Sequence, residues 1–154
     1  MLFRSTQSAS PHPLIPIGSV SSMDAGIVTL HRPWDASTFV LSKQSQSGAY
    51  EKVQAFNLDI DCSMSPQTLS RDHASGFIVA GLCRSQPALW LAHVDSTLEL
   101  SEVLLVTDSD PDAIKLIPTV AVRLESETVI AGSRVLRNRP SGEGTRYQIG
   151  RAHV

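Results

Sequence analysis

A self-similarity with a spacing of 51 residues is the feature that most limits what this chain can fold into. One shift of 51 places Ile27-Val28-Thr29-Leu30 on Ile78-Val79-Ala80-Gly81, and a second places that segment on Val129-Ile130-Ala131-Gly132. The same shift puts Ser19 on Ser70, Thr68 on Thr119, Glu51 on Glu102, Ser75 on Ser126, Asp59 on Asp110 and Asp61 on Asp112. Two shifts put Leu14-Ile15-Pro16 on Leu116-Ile117-Pro118. A fixed period of this length marks a supersecondary unit that cannot bury its apolar surface alone and must stack on its neighbours.

Each unit reads as four short strands. In the best-preserved copy they cover residues 68–71, 76–83 (GFIVAGLC), 89–95 (LWLAHVD) and 99–107 (ELSEVLLVT). Short apolar, β-branched runs bounded by turn formers indicate buried strands rather than helices. The connections are rich in Ser, Pro, Gly, Asp and Gln, as turns require. The first copy gives strands at 17–20, 26–30, 38–43 and 50–56, and the third at 119–124 and 128–133. In the third copy a polar insertion, residues 137–144, delays the next strand to 145–147. The units are bounded at 14–64, 65–115 and 116–148. Residues 1–13 are assigned to the end of a preceding unit and a linker, since Met1-Leu2-Phe3-Arg4 falls on Val103-Leu104-Leu105-Val106.

Four strands in roughly 40 to 50 residues is the plan of a β-propeller blade. GFIVAG, a loop, then LWLAHVD resembles blades of bacterial secreted and surface proteins, in which a Gly-rich second strand ends Ala-Gly and an aromatic third strand ends in Asp. The resemblance spans about residues 14–145 and implies an incomplete all-β propeller of about three blades in an exported or cell-surface setting. No Gly-Gly pair closes the second strand, as kelch blades would have, and no Trp-Asp ends a third strand, as WD40 blades would have. Trp34-Asp35 is such a dipeptide, but it sits after a second strand. The alternative is a β-trefoil, also three repeats of four strands. The last residues, Ile149-Gly150-Arg151-Ala152-His153-Val154, resemble the translation of a sequencing adapter. That resemblance implies an artefactual tail at 149–154, with a natural C-terminus elsewhere.

Composition narrows the function classes. A formal net charge of -2 over 154 residues gives no basic surface for nucleic acid. No apolar run approaches the roughly 18 residues of a membrane span. With 42% hydrophobic and 18% charged residues, the chain is not of a disordered type. Two cysteines, Cys62 and Cys83, make no multi-bridge framework. They are read as two reduced or buried thiols, paired only if the loop carrying Cys62 folds back.

Few residues suggest chemistry. Alternate carboxylates in Asn57-Leu58-Asp59-Ile60-Asp61 and Asp108-Ser109-Asp110-Pro111-Asp112 could converge on a hard cation such as Ca²⁺. Asp59, Asp61, Asp108, Asp110 and Asp112 are therefore the metal candidates, weighed against solvated turns, which Asp also favours. Neither segment has the Gly and closing Glu of an EF-type loop. His12, His31, His73 and His93 share no metal spacing. His93 is read as a satisfied strand residue, with Leu91 on the opposite face. Phe39 and Trp90 share one repeat position and read as core anchors, with carbohydrate stacking as the functional alternative. Residues 134–139 (RVLRNR) read as a surface loop. No nucleophile elbow or phosphate loop occurs, and residues 141–144 lack the Lys of the latter. The expectation is a module that binds a protein or carbohydrate ligand, with no catalytic or cofactor-binding residues assigned. The alternatives are part of a propeller enzyme completed by other blades, and a trefoil lectin.

Overall fold

The computed structural model describes residues 14–33, 38–72, 76–125 and 127–137, and the backbone alone of 145–153. Within these residues the chain is all-β, with eleven strands and no helix. The first sheet is an antiparallel meander of β1 (Leu14–Ser21), β2 (Ile27–Pro33), β3 (Phe39–Gln44) and β4 (Tyr50–Phe56). The second repeats that order with β5 (Met64–Arg71), β6 (Phe77–Cys83), β7 (Ala88–Val94) and β8 (Leu100–Thr107). The third has β9 (Ala113–Leu124), β10 (Glu127–Leu136) and β11 (Thr145–His153). Residues 149–153, set aside above as an artefactual tail, have strand backbone here, with Ile149 opposite Ile130 and Ala152 opposite Thr128. Trp34, Asp35, His12, His73 and residues 141–144 lie outside the described residues. No closed barrel forms among the described strands.

The hydrogen-bond register corrects the spacing read from the sequence. In the first sheet Val20 faces Val28, Ile27 faces Gln44 and Phe39 faces Phe56. In the second, Ser70 faces Ile78, Phe77 faces Val94 and Leu89 faces Val106. Adding 50, not 51, to each first-sheet pair lands on a second-sheet pair. The turns agree. Ser22 N–H donates to Gly26 O and Asp72 N–H to Gly76 O; Ser45 N–H donates to Ala49 O and Asp95 N–H to Glu99 O. From the second sheet to the third, the second strand does keep the 51 spacing. Ala80-Gly81 and Ala131-Gly132 both sit at the register shift beside a proline, Pro66 and Pro118. The first strands there differ by 52, because the turn between β9 and β10 is shorter.

A one-residue slip turns every strand side chain to the other face, so the difference decides the packing. Val28, Leu30, Phe39 and Leu41 of the first sheet point at the second. Their counterparts 50 residues on, Ile78, Ala80, Leu89 and Leu91, point away from the first sheet and at the third. The opposite face of the second sheet, with Phe77, Val79, Trp90, Ala92 and Val94, returns the contact to the first sheet. Strands β6 and β7 are thus buried on both faces, which is why their sequences run apolar with little alternation. Phe39 and Trp90 are not equivalent, since Phe39 corresponds to Leu89. They meet across the junction with ring centroids 5.4 Å apart, and Phe39 also stacks on Phe56 at 4.8 Å. Both rings are fully buried, which makes them core anchors and removes the carbohydrate-stacking alternative.

The sheets approach most closely at their early strands, β5 lying over β1 and β2 and β9 over β5 and β6. The tight turn after the third strand of the first and second sheets holds one residue in the left-handed region. Gly48 supplies it at φ 85° in the first sheet, and Leu98, its counterpart, adopts φ 61° while its side chain is buried in the core. Gly81 meets a different demand. A Cβ there would collide with the Trp90 indole and the Ser65 carbonyl. Gly81→Ala should therefore destabilise the protein by about 1–3 kcal/mol through overpacking, measured as a lowered urea midpoint at constant slope.

Candidate functional site

Antiparallel meanders sort the connections to two ends. Connections that join successive sheets, residues 57–63 and 108–112, share an end with the β6–β7 connection, residues 84–87. All five candidate carboxylates fall at this end. The residues there are held by main-chain bonds between loops: Arg84 N–H donates to Ser63 O, Asp108 N–H to Pro87 O, and Arg137 N–H to Asp112 O. The Gln86 side-chain amide donates to Asp61 O at 2.6 Å.

The linker 57–63 is shaped by alternation. Leu58 is buried, Ile60 and Cys62 pack against the same core, and Asp59 and Asp61 are exposed between them. Cys62 is joined to Cys83 at the end of β6, with Cα atoms 5.3 Å apart. The reading as reduced thiols is thereby corrected. Cys83 faces Met64 across the β5–β6 ladder, so the linker has only to fold back by two residues to reach it.

The linker 108–112 is held differently. Arg134 donates from Nε to Asp108 Oδ2 at 2.6 Å and from Nη2 to Asp108 Oδ1 at 3.0 Å, and its Nη2 also lies 2.5 Å from Asp110 Oδ2. Asp108 Oδ1 accepts from Asp110 N–H and Asp110 Oδ1 from Asp112 N–H, both at 2.9 Å, as Asp does in turns. The cation facing this turn is thus a guanidinium. Among the described residues, no three His, Cys, Asp or Glu side chains are grouped to hold a metal ion. Arg134, which the sequence reading put in a surface loop, is in β10 and only partly exposed. It faces Leu116 as Cys83 faces Met64. One position at the end of the second strand therefore ties down the incoming linker in both sheets, by a covalent bond in one and a charged fork in the other.

The opposite end carries further ion pairs. Lys43 bonds Asp24 at 2.7 Å and reaches Glu51 at 3.5 Å. Lys43, and then the Ser22 hydroxyl, hold the Asp24 carboxyl well below the usual carboxylate range. Asp95 caps its own turn, accepting from Thr97 N–H, Thr97 Oγ1 and Glu99 N–H, and these bonds lower its pKa. Lys52 Nζ crosses from the first sheet to Glu99 at 2.6 Å. His31 Nε2 is 2.8 Å from Ser42 Oγ. His93 is buried on the same face as Leu91, two residues away, not the opposite face as read from the sequence. The sequence reading missed Arg134 as a partner of the aspartates and Asp72 as a partner of His93. Neither pair has a sequence spacing that announces it.

Two measurements check the linker ties. Reduction, or Cys62→Ser with Cys83→Ser, should cost about 3 kcal/mol for a loop of this length, read as a fall in melting temperature on adding reductant. Arg134→Gln should lower the melting temperature, and in wild type that contribution should shrink as salt is raised. No protein-family model matches the chain, and neither does any curated protein.

Proposed function

We propose that the chain is part of a β-propeller and acts as a ligand-binding or protein-interaction module. The observation that carries this reading is the recurrence of one packing arrangement. The face by which the first sheet receives the second is the face by which the second receives the third, and propeller blades adjoin in that way. Three sheets are fewer than the roughly four to eight that close a ring. The third sheet leaves the equivalent face open, where Val120, Val122 and Leu124 are exposed. Val120 and Val122 pair across the ladder with Ala131 and Val129, the counterparts of Ala80 and Ile78. A further sheet of the same design is the occupant that fits this face.

The end formed by residues 57–63, 84–87 and 108–112 is the proposed ligand side, for a protein or carbohydrate partner. Its loops are pinned by the disulfide and by Arg134, which reduces the entropy lost on binding. A disulfide also favours an exported or cell-surface protein, since such bonds persist in oxidising compartments. Among the described residues, no helix is long and apolar enough to cross a membrane.

Two experiments test the reading. In sedimentation velocity the isolated chain should self-associate through its open face, and Val122→Lys should reduce that association without lowering the melting temperature. A monomer at all concentrations, unchanged by the substitution, would count against the propeller. In amide shift mapping against oligosaccharide and peptide panels, ligand-induced shifts should fall in 57–63, 84–87 and 108–112. Shifts confined to the turns at 45–49 and 95–99 would place binding at the wrong end and overturn the assignment.

A further inference from the structure

The junction between the second and third sheets encloses a chain of ionisable groups that the proposed ligand side does not use. His93 is 2% exposed, near the end of β7 on the face that meets the third sheet. Arg123 of β9 places Nη1 3.3 Å from His93 Nδ1, and Thr128 of β10 places Oγ1 3.5 Å from His93 Nε2. Asp72, in the turn before β6, places Oδ2 3.7 Å from His93 Nδ1 and 3.5 Å from Arg123 Nη1. From β8, Glu102 faces His93 across the ladder, and from β6 the facing residue is Ile78. A guanidinium can only donate, so Nδ1 accepts and the ring proton sits on Nε2, directed to Thr128. The neutral ring is therefore a connector, with one nitrogen held by β9 and the other by β10.

We propose that His93 is a pH-operated clasp, whose protonation breaks the Arg123–His93–Thr128 chain and loosens the third sheet from the second. A proton on Nδ1 removes the acceptor that Arg123 uses and sets a buried imidazolium beside the partly exposed guanidinium of Arg123. Asp72 offsets this only in part, because it already shares Arg123, which lies nearer the ring. Burial is the main cause lowering the His93 pKa; Glu102 and Asp72 oppose it and Arg123 adds to it. A group whose pKa is lowered by folding binds more protons when released. The stabilisation from this junction is thus complete above the ordinary imidazole value of about 6.5 and lost as pH falls below it.

The molecule contains its own control. Lys43 occupies the position of His93 in the first sheet, 50 residues earlier. Its pKa is raised, first by Asp24, so it stays charged throughout this range. The Lys43 position therefore carries no group that titrates in mild acid. The imidazole of the first sheet is His31 of β2, whose pKa burial lowers and which alternation turns away from Val28 and Leu30 and the first junction.

Hydrogen exchange of the full chain at pH about 7.5 and about 5, on either side of the imidazole range and corrected for intrinsic rates, tests the clasp. Protection in β9 and β10 should be lost at the lower pH in wild type and in His31→Gln alike, while β2 and β3 of His31→Gln keep theirs. His93→Gln should abolish the pH dependence of β9 and β10. Should that variant fail to fold, the wild-type His93 Cε1 resonance provides the test. It should titrate with a midpoint below about 6.5 and move together with the β9 amides. A midpoint at or above that value, or protection of β9 and β10 unchanged while His93 titrates, overturns the proposal. An equal acid response in His93→Gln also overturns it.

Discussion

Burial of both faces of the second sheet is the constraint on which the rest of the structure depends. Strands β6 and β7 contribute Val79, Trp90 and Ala92 to one junction and Ile78, Ala80 and Leu91 to the other. Neither face could be left to water, because each fully buried aliphatic side chain contributes about 1.5–3 kcal/mol relative to exposure. A sheet of this kind requires two neighbours. The first and third sheets meet that need, and each then presents a further face. Gly81 follows from the same constraint, since the Trp90 ring can lie flat in the junction only where no Cβ intervenes.

Much of this was legible in the sequence, and the part that was not has a physical explanation. Strand positions in the first two sheets were readable because short β-branched runs between turn formers have few other uses. The spacing was misread by one residue for the same reason that β6 and β7 are good strands. Where both faces are apolar, Ile27-Val28 aligns on Ile78-Val79 as well as Val28 does on Ile78, and only the pleat tells them apart. Burial separates them: Ile27 is 46% exposed and Ile78 fully buried. The turns held the better signal, since Gly26 and Gly76 and the turn starts Ser45 and Asp95 are each 50 apart.

The candidate site was less readable. The alternating aspartates were visible, but their partner was not, because Arg134 reaches Asp108 from another strand, 26 residues away. The pairing of Cys62 with Cys83 was hidden in the same way, since it depends on the register of β5 against β6 and on a linker whose Leu58 and Ile60 turn inward. Sequence patterns report the local period of a strand. They do not report which loop residue the end of that strand will meet.

The two linker ties differ most under mechanical load. The Cys62–Cys83 bond spans 21 residues, which at roughly 3.3–3.6 Å each is about 70 Å of chain that a pulling force cannot extend. Strands β5 and β6 lie inside that loop, so tension along the backbone passes around them through the sulfur atoms. No covalent bypass joins the residues described in the third sheet, whose linker is tied by the Arg134 fork and by main-chain hydrogen bonds. Pulled from its ends, the chain should give way outside this loop and keep β5 and β6 from being drawn out.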